Sequence, residues 1–469
     1  MKNRIFLTLI SLILVIAIAG LSIAGCSAFN FTEKSSSTSL NNNKNDITSP
    51  DNPEKVPLDY LDTFLIIDAL FNNFSIFDVD YETAMLAAIR AYIEATGDKY
   101  AMYYTPDEFD ALKSENNGDL YGIGVQVIFD YDEYFMEIVL VMPDSPALEH
   151  LVVGDKVTHI YIDGEKVALA DIVEENKIKA KEIYPNYTDE EINNVACYEA
   201  FQFTVANLKG PEGTFAKFCI DRDGNFIDME IKRAKVKTVS VTGKTSVRDN
   251  SVGIISISQF DLTTPVQFKE CMDNLISQGC DKFVFDVRNN PGGDLASLVA
   301  VVSTLLKKDD VILSTKDSSG ATQITKVGTV NYSASSGYQT CNVTNADIGK
   351  YAGYEYVVLA NENSASAAEL FTAVLRDHNL AQIVGVNTYG KGSVQSIISL
   401  QYYGDKYYGA LKLTTKLYFP PCGEGYDGGI GIAPNHPVEL EGIAAETHFY
   451  KLTEEIDNQL QKAVSLLID

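Results

Sequence analysis

Positive charge is scarce in this chain of 469 residues: 37 Lys and Arg stand against 64 Asp and Glu, a formal net charge of −27 at pH 7. Beyond the first few positions there is no Lys/Arg cluster, so the electrostatic footprint of a nucleic-acid-binding protein is missing. Such a balance favours solubility and weak repulsion from anionic lipid. Cysteine is also sparse. Apart from Cys26, the six cysteines Cys197, Cys219, Cys271, Cys280, Cys341 and Cys422 show no metal-ligand spacing, and no disulfide pairing can be deduced from them. Of the five histidines, His150, His159, His378, His436 and His448, none lies in a recognisable catalytic motif. The length itself predicts two or three folded units.

What is present begins at the N-terminus. Lys2 and Arg4 precede an uncharged apolar stretch from Ile5 to Gly25, which reads as an export signal. It ends at Ile23-Ala24-Gly25-Cys26, which resembles the lipobox of bacterial lipoproteins, whose cysteine is lipidated and becomes the mature N-terminus. A plain signal anchor is the alternative, because the stretch is near spanning length. Both readings place the bulk of the chain outside the cytoplasm. From Ser27 to Pro57 the sequence is polar and lacks apolar periodicity, as in a flexible tether with a reach of about 30 Å.

Helical spacing of apolar residues predicts helices over Leu58 to Phe74 and Tyr81 to Ala95, packed together, and Thr105-Pro106 opens a short helix ending near Leu112. A second unit begins near Gly118. Gly122-Ile123-Gly124 leads into a strand with alternating Val125, Val127 and Phe129; a strand from Glu137 to Met142, a Pro-rich turn and Gly154-Asp155 follow. This succession resembles a PDZ domain, in which such a loop turns backbone N–H groups toward a peptide carboxylate and the strand edge pairs with the peptide. By that resemblance Gly122, Ile123, Gly124 and Val125 would bind peptide. The stretch from Glu174 to Ala206 is longer than the usual connection, and Lys209 stands where relatives typically carry arginine. A third unit alternates strands and helices from Val252 to Val386, which predicts an α/β layer architecture with a largely parallel sheet; a hairpin pattern over Ile397 to Phe419 and a closing helix from Thr453 to Leu467 follow.

Two short runs carry chemistry. Ser366, in Asn363-Ser364-Ala365-Ser366-Ala367-Ala368-Glu369, lies between a strand and a helix. Ser366 with Glu369 reads as a capping box, yet the flanking small residues and the helix dipole also suit a nucleophile and a developing oxyanion. Lys391, in Tyr389-Gly390-Lys391-Gly392-Ser393-Val394-Gln395, follows an apolar strand. A lysine that acts as a base must give up roughly 4 kcal/mol of its preference for the charged form, which burial can supply. An exposed loop lysine is the plain alternative. Gly385 to Lys391 also fits the start of a P-loop, but Gly392 replaces the metal-holding Ser or Thr and no helix follows. The turn Asp286-Val287-Arg288-Asn289-Asn290-Pro291-Gly292-Gly293 is Gly-rich and exposes backbone N–H groups, as an ordinary turn with an Asp-Arg pair or as half of an oxyanion hole.

Together these runs, with Gly429-Ile430-Gly431-Ile432-Ala433-Pro434, resemble the C-terminal processing peptidases from about Leu58 to the C-terminus. The resemblance implies an α/β fold, a crotonase-like or ClpP-like protease core with an inserted, mainly-β PDZ domain and N-terminal helices. It implies Ser366 as nucleophile, Lys391 as base, Gln395 orienting the lysine, and the backbone of Ala367 and of Gly292 or Gly293 binding the oxyanion. Glu369 and Asp377 match acidic positions of the family; Asp286 and Arg288 are supporting candidates.

The expected organisation is a lipoprotein signal peptide over 1–25, a tether over 26–57, a helical region over 58–117, a PDZ domain over 118–235, a protease core over 236–444 and a C-terminal helix over 445–469. No metal or organic cofactor is implied. The implied partners are proteins or peptides with accessible C-termini and, through Cys26, the outer face of the bacterial cytoplasmic membrane; the leading helices could serve a homodimer. Two alternatives stay open: His378 as the base for Ser366, and a peptide-binding lipoprotein scaffold with an inactive core.

Overall fold

The computed structural model describes residues 58–77, 80–116, 120–328, 344–400 and 408–468. The expected signal peptide, tether and Cys26 lie outside the described residues, as does Cys341.

Six strands form the central sheet, in the order Val241–Thr245, Val252–Ile257, Lys282–Asp286, Glu355–Ala360, Ala381–Gly385 and His436–Pro437. The first pairing is antiparallel and the other four are parallel. Strands buried on both faces need apolar side chains at successive positions, since neighbours point to opposite sides. Here Ile255, Phe283, Phe285, Tyr356 and Val358 face one core, which the helices Thr264–Ser277, Leu295–Leu305 and Ala367–Asp377 cover. Ile254, Val284, Val357, Leu359 and Val384 face the other, covered by the helix Asn458–Ile468. Each such side chain fully withdrawn from water contributes about 1.5–3 kcal/mol.

Parallel strands end on the same edge of a sheet. The turn 287–293, the loop 361–366 and the loop 386–391 each follow the C-terminal end of one of three adjacent strands, so the topology gathers them on one rim.

Above that rim a five-stranded antiparallel sheet is built around Ala410–Phe419, which pairs with Met102–Tyr104, Ser393–Ser399 and Val311–Asp317; the last also pairs with Thr322–Lys326. Residues 125–232 build a separate six-stranded sheet around their own apolar core, with helices Leu169–Ile183 and Asp189–Leu208 packed on it. These two helices are the long stretch after Glu174. The second opens with a capping box between Thr188 and Glu191 and closes under Arg233, whose guanidinium donates to the carbonyls of Asn207 and Leu208.

The leading helices form over Leu58–Phe74 and Tyr81–Ala95, as the spacing predicts. Their expected mutual packing does not follow. Leu61, Leu65, Ile66 and Leu70 are all exposed, and the second helix buries no residue. Helical periodicity marks an apolar face but does not say what covers it. Among the described residues no helix is long and apolar enough to cross a membrane, and no group of His, Cys, Asp or Glu side chains is arranged to hold a metal ion.

Candidate active site

Ser366 stands between the strand Glu355–Ala360 and the helix Ala367–Asp377, with φ 55° and ψ −116°. A non-glycine residue pays for that left-handed backbone in strain, so its surroundings must enforce it. They do so by hydrogen bonding. Ser364 Oγ donates to the Val287 carbonyl at 2.8 Å, the Ala365 amide donates to the Asn290 carbonyl at 2.9 Å, and Asn361 and Asn289 exchange bonds of 2.8 and 2.9 Å. The loop carrying Ser366 is thus fastened to the turn 287–293. Gly292 lets the two approach: a Cβ there would lie 2.7 Å from Ser366 Cβ.

Glu369 is fully buried one turn into the helix. Its carboxylate accepts the Ser366 amide at 2.9 Å, the Lys391 amide at 2.8 Å, the Gly390 amide at 2.6 Å and the Thr388 hydroxyl at 2.6 Å. The Ser366 and Lys391 amides meet on the same oxygen. Burial raises the Glu369 carboxyl above its ordinary range, while these four donors work in the opposite direction. The expected cap is present in part, but its carboxylate does more than cap a helix, since it ties the Ser366 loop to the Lys391 loop.

Lys391 is only 6% exposed. Burial, then the neighbouring Lys412 and Lys99 amines, lowers its pKa to about 8, against the pull of Glu369 and Asp427. A displacement from 10.5 corresponds to roughly 3 kcal/mol of lost preference for the ammonium form. Its Nζ lies 4.5 Å from the centroid of the Tyr100 ring, and no hydrogen bond joins it directly to the Ser366 hydroxyl. Tyr418 donates to the Lys391 carbonyl at 2.5 Å, and its hydroxyl also interacts with Ser366. Burial holds that phenol above its ordinary pKa, so it stays a donor.

The hydrogen bonds bear on three of the expected roles. The Gly292 amide donates to Asn290 Oδ1 at 2.8 Å within its own turn, which leaves Gly293 and Ala367 as the amides without a partner among the described residues. Gln395 does not reach Lys391: its amide nitrogen donates to Ser393 at 3.1 Å and to Thr414 at 3.2 Å. His378 lies at the far end of an eleven-residue helix, about 16 Å from its start, and its ring bonds the Val311 carbonyl at 2.8 Å. Asp377 lies at that same far end, salt-bridged to Arg376 and accepting the Cys422 amide. Asp286 and Arg288 form a buried fork at 2.7 and 3.0 Å behind the turn 287–293. Gly122 to Val125 lie well away from these residues in sequence, at the start of the separate sheet; Gly124, at φ +82°, packs against Ser145 so closely that no Cβ fits.

Residues 251–438, which contain Ser366, Lys391, Glu369 and the turn 287–293, match the description Peptidase family S41. This stretch is a peptidase family S41 domain. Among similar curated proteins, a "Probable CtpA-like serine protease" of Staphylococcus haemolyticus (strain JCSC1435) is 27% identical over 312 residues, 66% of this chain and 52% of that protein. Another so described, from Staphylococcus aureus (strain N315), is 25% identical over 379 residues, 80% of this chain and 65% of its own length. The chain therefore spans between half and two thirds of these relatives. Of solved structures, the photosystem II D1 C-terminal processing protease is similar over 82% of this chain and 89% of its own, with 19% identity and a TM-score of 0.42.

Inside the S41 domain the sequence reading missed Tyr418, Lys412 and Asp427, and outside it Tyr100. All four come from segments that carry no motif of their own. The one available signal was the alternation in Ala410–Phe419, which puts Lys412 and Thr414 on one face of the strand; a bulge opposite Val394 and Gln395 then turns Lys416 to the other face.

Proposed function

We propose that this chain is a serine endopeptidase of the C-terminal processing type. The observation that carries the reading is the convergence of the Ser366 and Lys391 amides on one buried Glu369 oxygen, with Ser366 in a strained turn and Lys391 shielded from water. In this reading the neutral Lys391 amine takes the Ser366 hydroxyl proton as Oγ attacks a peptide carbonyl. The oxyanion binds the Ala367 and Gly293 amides at the start of the helix. Lys391 returns the proton to the leaving amine as the C–N bond breaks, and water then hydrolyses the acyl-enzyme with Lys391 again as base. Apo sites often tighten such contacts only when substrate is bound.

The finer features belong to the same proposal. The parallel sheet with helices on both faces supports a crotonase-like or ClpP-like core. The edge strand Val125–Phe129, which pairs on one side with Met136–Val141 and has no strand on the other among the described residues, supports a PDZ unit that takes a substrate tail as an added strand. Cys26 would hold the enzyme by lipid to the outer face of the cytoplasmic membrane.

A serine-reactive acylating probe should label Ser366 in the full chain, and Lys391→Ala should lower labelling and peptide hydrolysis by at least about 10²-fold with the fold intact. Full activity in that variant rejects the dyad. The second reading, a peptide-binding scaffold, draws on the separation of Gln395 from Lys391. An unlabelled wild-type Ser366 favours it.

A further inference from the structure

The Lys391 amine is covered by a segment that lies outside the S41 domain. Tyr100 places its ring over Nζ, 4.5 Å from the centroid, while its own buried hydroxyl faces Tyr389 without a well-formed hydrogen bond. The segment is fastened on both sides of Tyr100. Before it, the Asp98 carboxylate accepts the Thr414 amide at 2.7 Å, the Thr414 hydroxyl at 2.9 Å and the Tyr100 amide at 3.1 Å. After it, Met102–Tyr104 pairs with Ala410–Lys412, and Tyr103 donates to the Tyr408 carbonyl at 2.9 Å. Gly409 makes this docking close, since a Cβ there would stand 2.0 Å from the Tyr104 carbonyl oxygen.

Thr414 in turn accepts from Gln395, on the strand that begins two residues after Lys391. Asp98 therefore clamps the Tyr100 segment to the strand pair that the Lys391 loop leads into. On its other side the segment borders a cavity of about 880 Å³ lined by Arg90, Ile93, Glu94, Met102 and Glu108, while Tyr104 packs with Leu112 and Ala410 in a small apolar cluster.

We propose that Tyr100 is a positioning residue for the base: docked by Asp98, its ring closes one side of the Lys391 amine to water and keeps that amine in its neutral, proton-accepting form. The proposal rests on the reading of Lys391 as base. Two effects of the ring oppose each other. Its face attracts an ammonium ion, whereas its bulk removes hydrating water. Full burial moves a lysine by up to about 3–5 pKa units, more than a facing ring restores, so exclusion of water governs the sign. The other charges facing Lys391 are Lys99 from the same segment, Lys412 from the central strand, Glu369 from the helix and Asp427 from the loop that binds the Gly392 amide; Tyr418 bonds its carbonyl.

The test reads the amine itself. Trace acetylation of the full chain with acetic anhydride across a pH series, with Lys391 quantified by mass spectrometry, gives its midpoint without requiring activity. Labelling of Ser366 by an acylating probe is followed over the same series. Tyr100→Ala should raise the Lys391 midpoint by about one unit, with a roughly tenfold slower labelling near pH 7 that recovers at high pH. Tyr100→Phe should return both to wild-type behaviour, and Asp98→Ala should move them the same way as Tyr100→Ala. If Tyr100→Ala does not fold, the comparison of Tyr100→Leu with Tyr100→Phe decides. A Lys391 midpoint that stays put or falls when the ring is removed overturns the proposal. An unlabelled wild-type Ser366 would instead sink the protease reading, which the midpoint measurement distinguishes.

Discussion

Lys391 illustrates what a buried amine costs a folded chain. Its pKa falls from 10.5 in water to about 8 in the fold, so between those values the unfolded chain binds the extra proton. Stability then rises as pH climbs through that window, and at pH 7 the amine withholds roughly 3 kcal/mol. Lys391→Met keeps the length of the side chain without the charge. It should raise the unfolding free energy at pH 7 by up to about 3 kcal/mol, read by urea titration, and flatten the rise between pH 8 and 10.5 while eliminating Ser366 labelling. Equal stability of the two proteins at pH 7 would mean that the amine is hydrated. Ser366, Lys391 and Glu369 were each legible in the sequence as residues of interest, because a serine before a helix, a lysine after an apolar strand and a Glu three residues past a cap are local patterns. That one carboxylate oxygen holds both of their loops was not legible. Glu369 and Lys391 lie on different elements, and sequence spacing says nothing of a contact between them.

At the scale of elements, the turn 287–293 depends on the end of the chain. Arg288 is buried and splits its guanidinium between Asp286 and Asp457, at 2.7 Å to each, with Gln459 at 2.9 Å and the Phe449 ring behind it. Asp457 also accepts the Leu460 amide at the start of the helix Asn458–Ile468. Asp457→Ala should therefore remove a buried charge partner and an anchoring bond of that helix together, lowering stability in urea titration by about 3–5 kcal/mol. A loss below 1 kcal/mol would show that the Arg288 fork is satisfied by Asp286 alone. Most elements followed from pattern. Val252–Ile257 and both leading helices fall where periodicity put them, and the closing helix starts later than expected because Thr453 to Asp457 form turns first. Met102–Tyr104 and Val241–Thr245 escaped, being too short or too polar to show a period and depending on partner strands for their existence.

For the molecule as a whole, the separate sheet of residues 125–232 meets the C-terminal segment through a 2.6 Å ion pair of Glu137 with Lys451. Lys451 is about half exposed, so water screens the pair and its worth is small. Lys451→Ala should change the unfolding free energy by less than about 1 kcal/mol, measured by thermal or urea unfolding; a larger loss would make that contact a main tie between the two parts. The sequence by itself determined the alternation of strands and helices, the two-faced burial of the central strands and the identity of the serine and lysine runs. These depend on side-chain periodicity and local turn chemistry, which neighbours in the chain set between them. Only the tertiary structure decided which amide of the Gly292-Gly293 pair is free, where Gln395 spends its hydrogen bonds, and that Tyr100 covers the lysine. Those outcomes depend on how strands far apart in sequence are ordered in a sheet, and the order minimises the free energy of the whole chain rather than of any one segment.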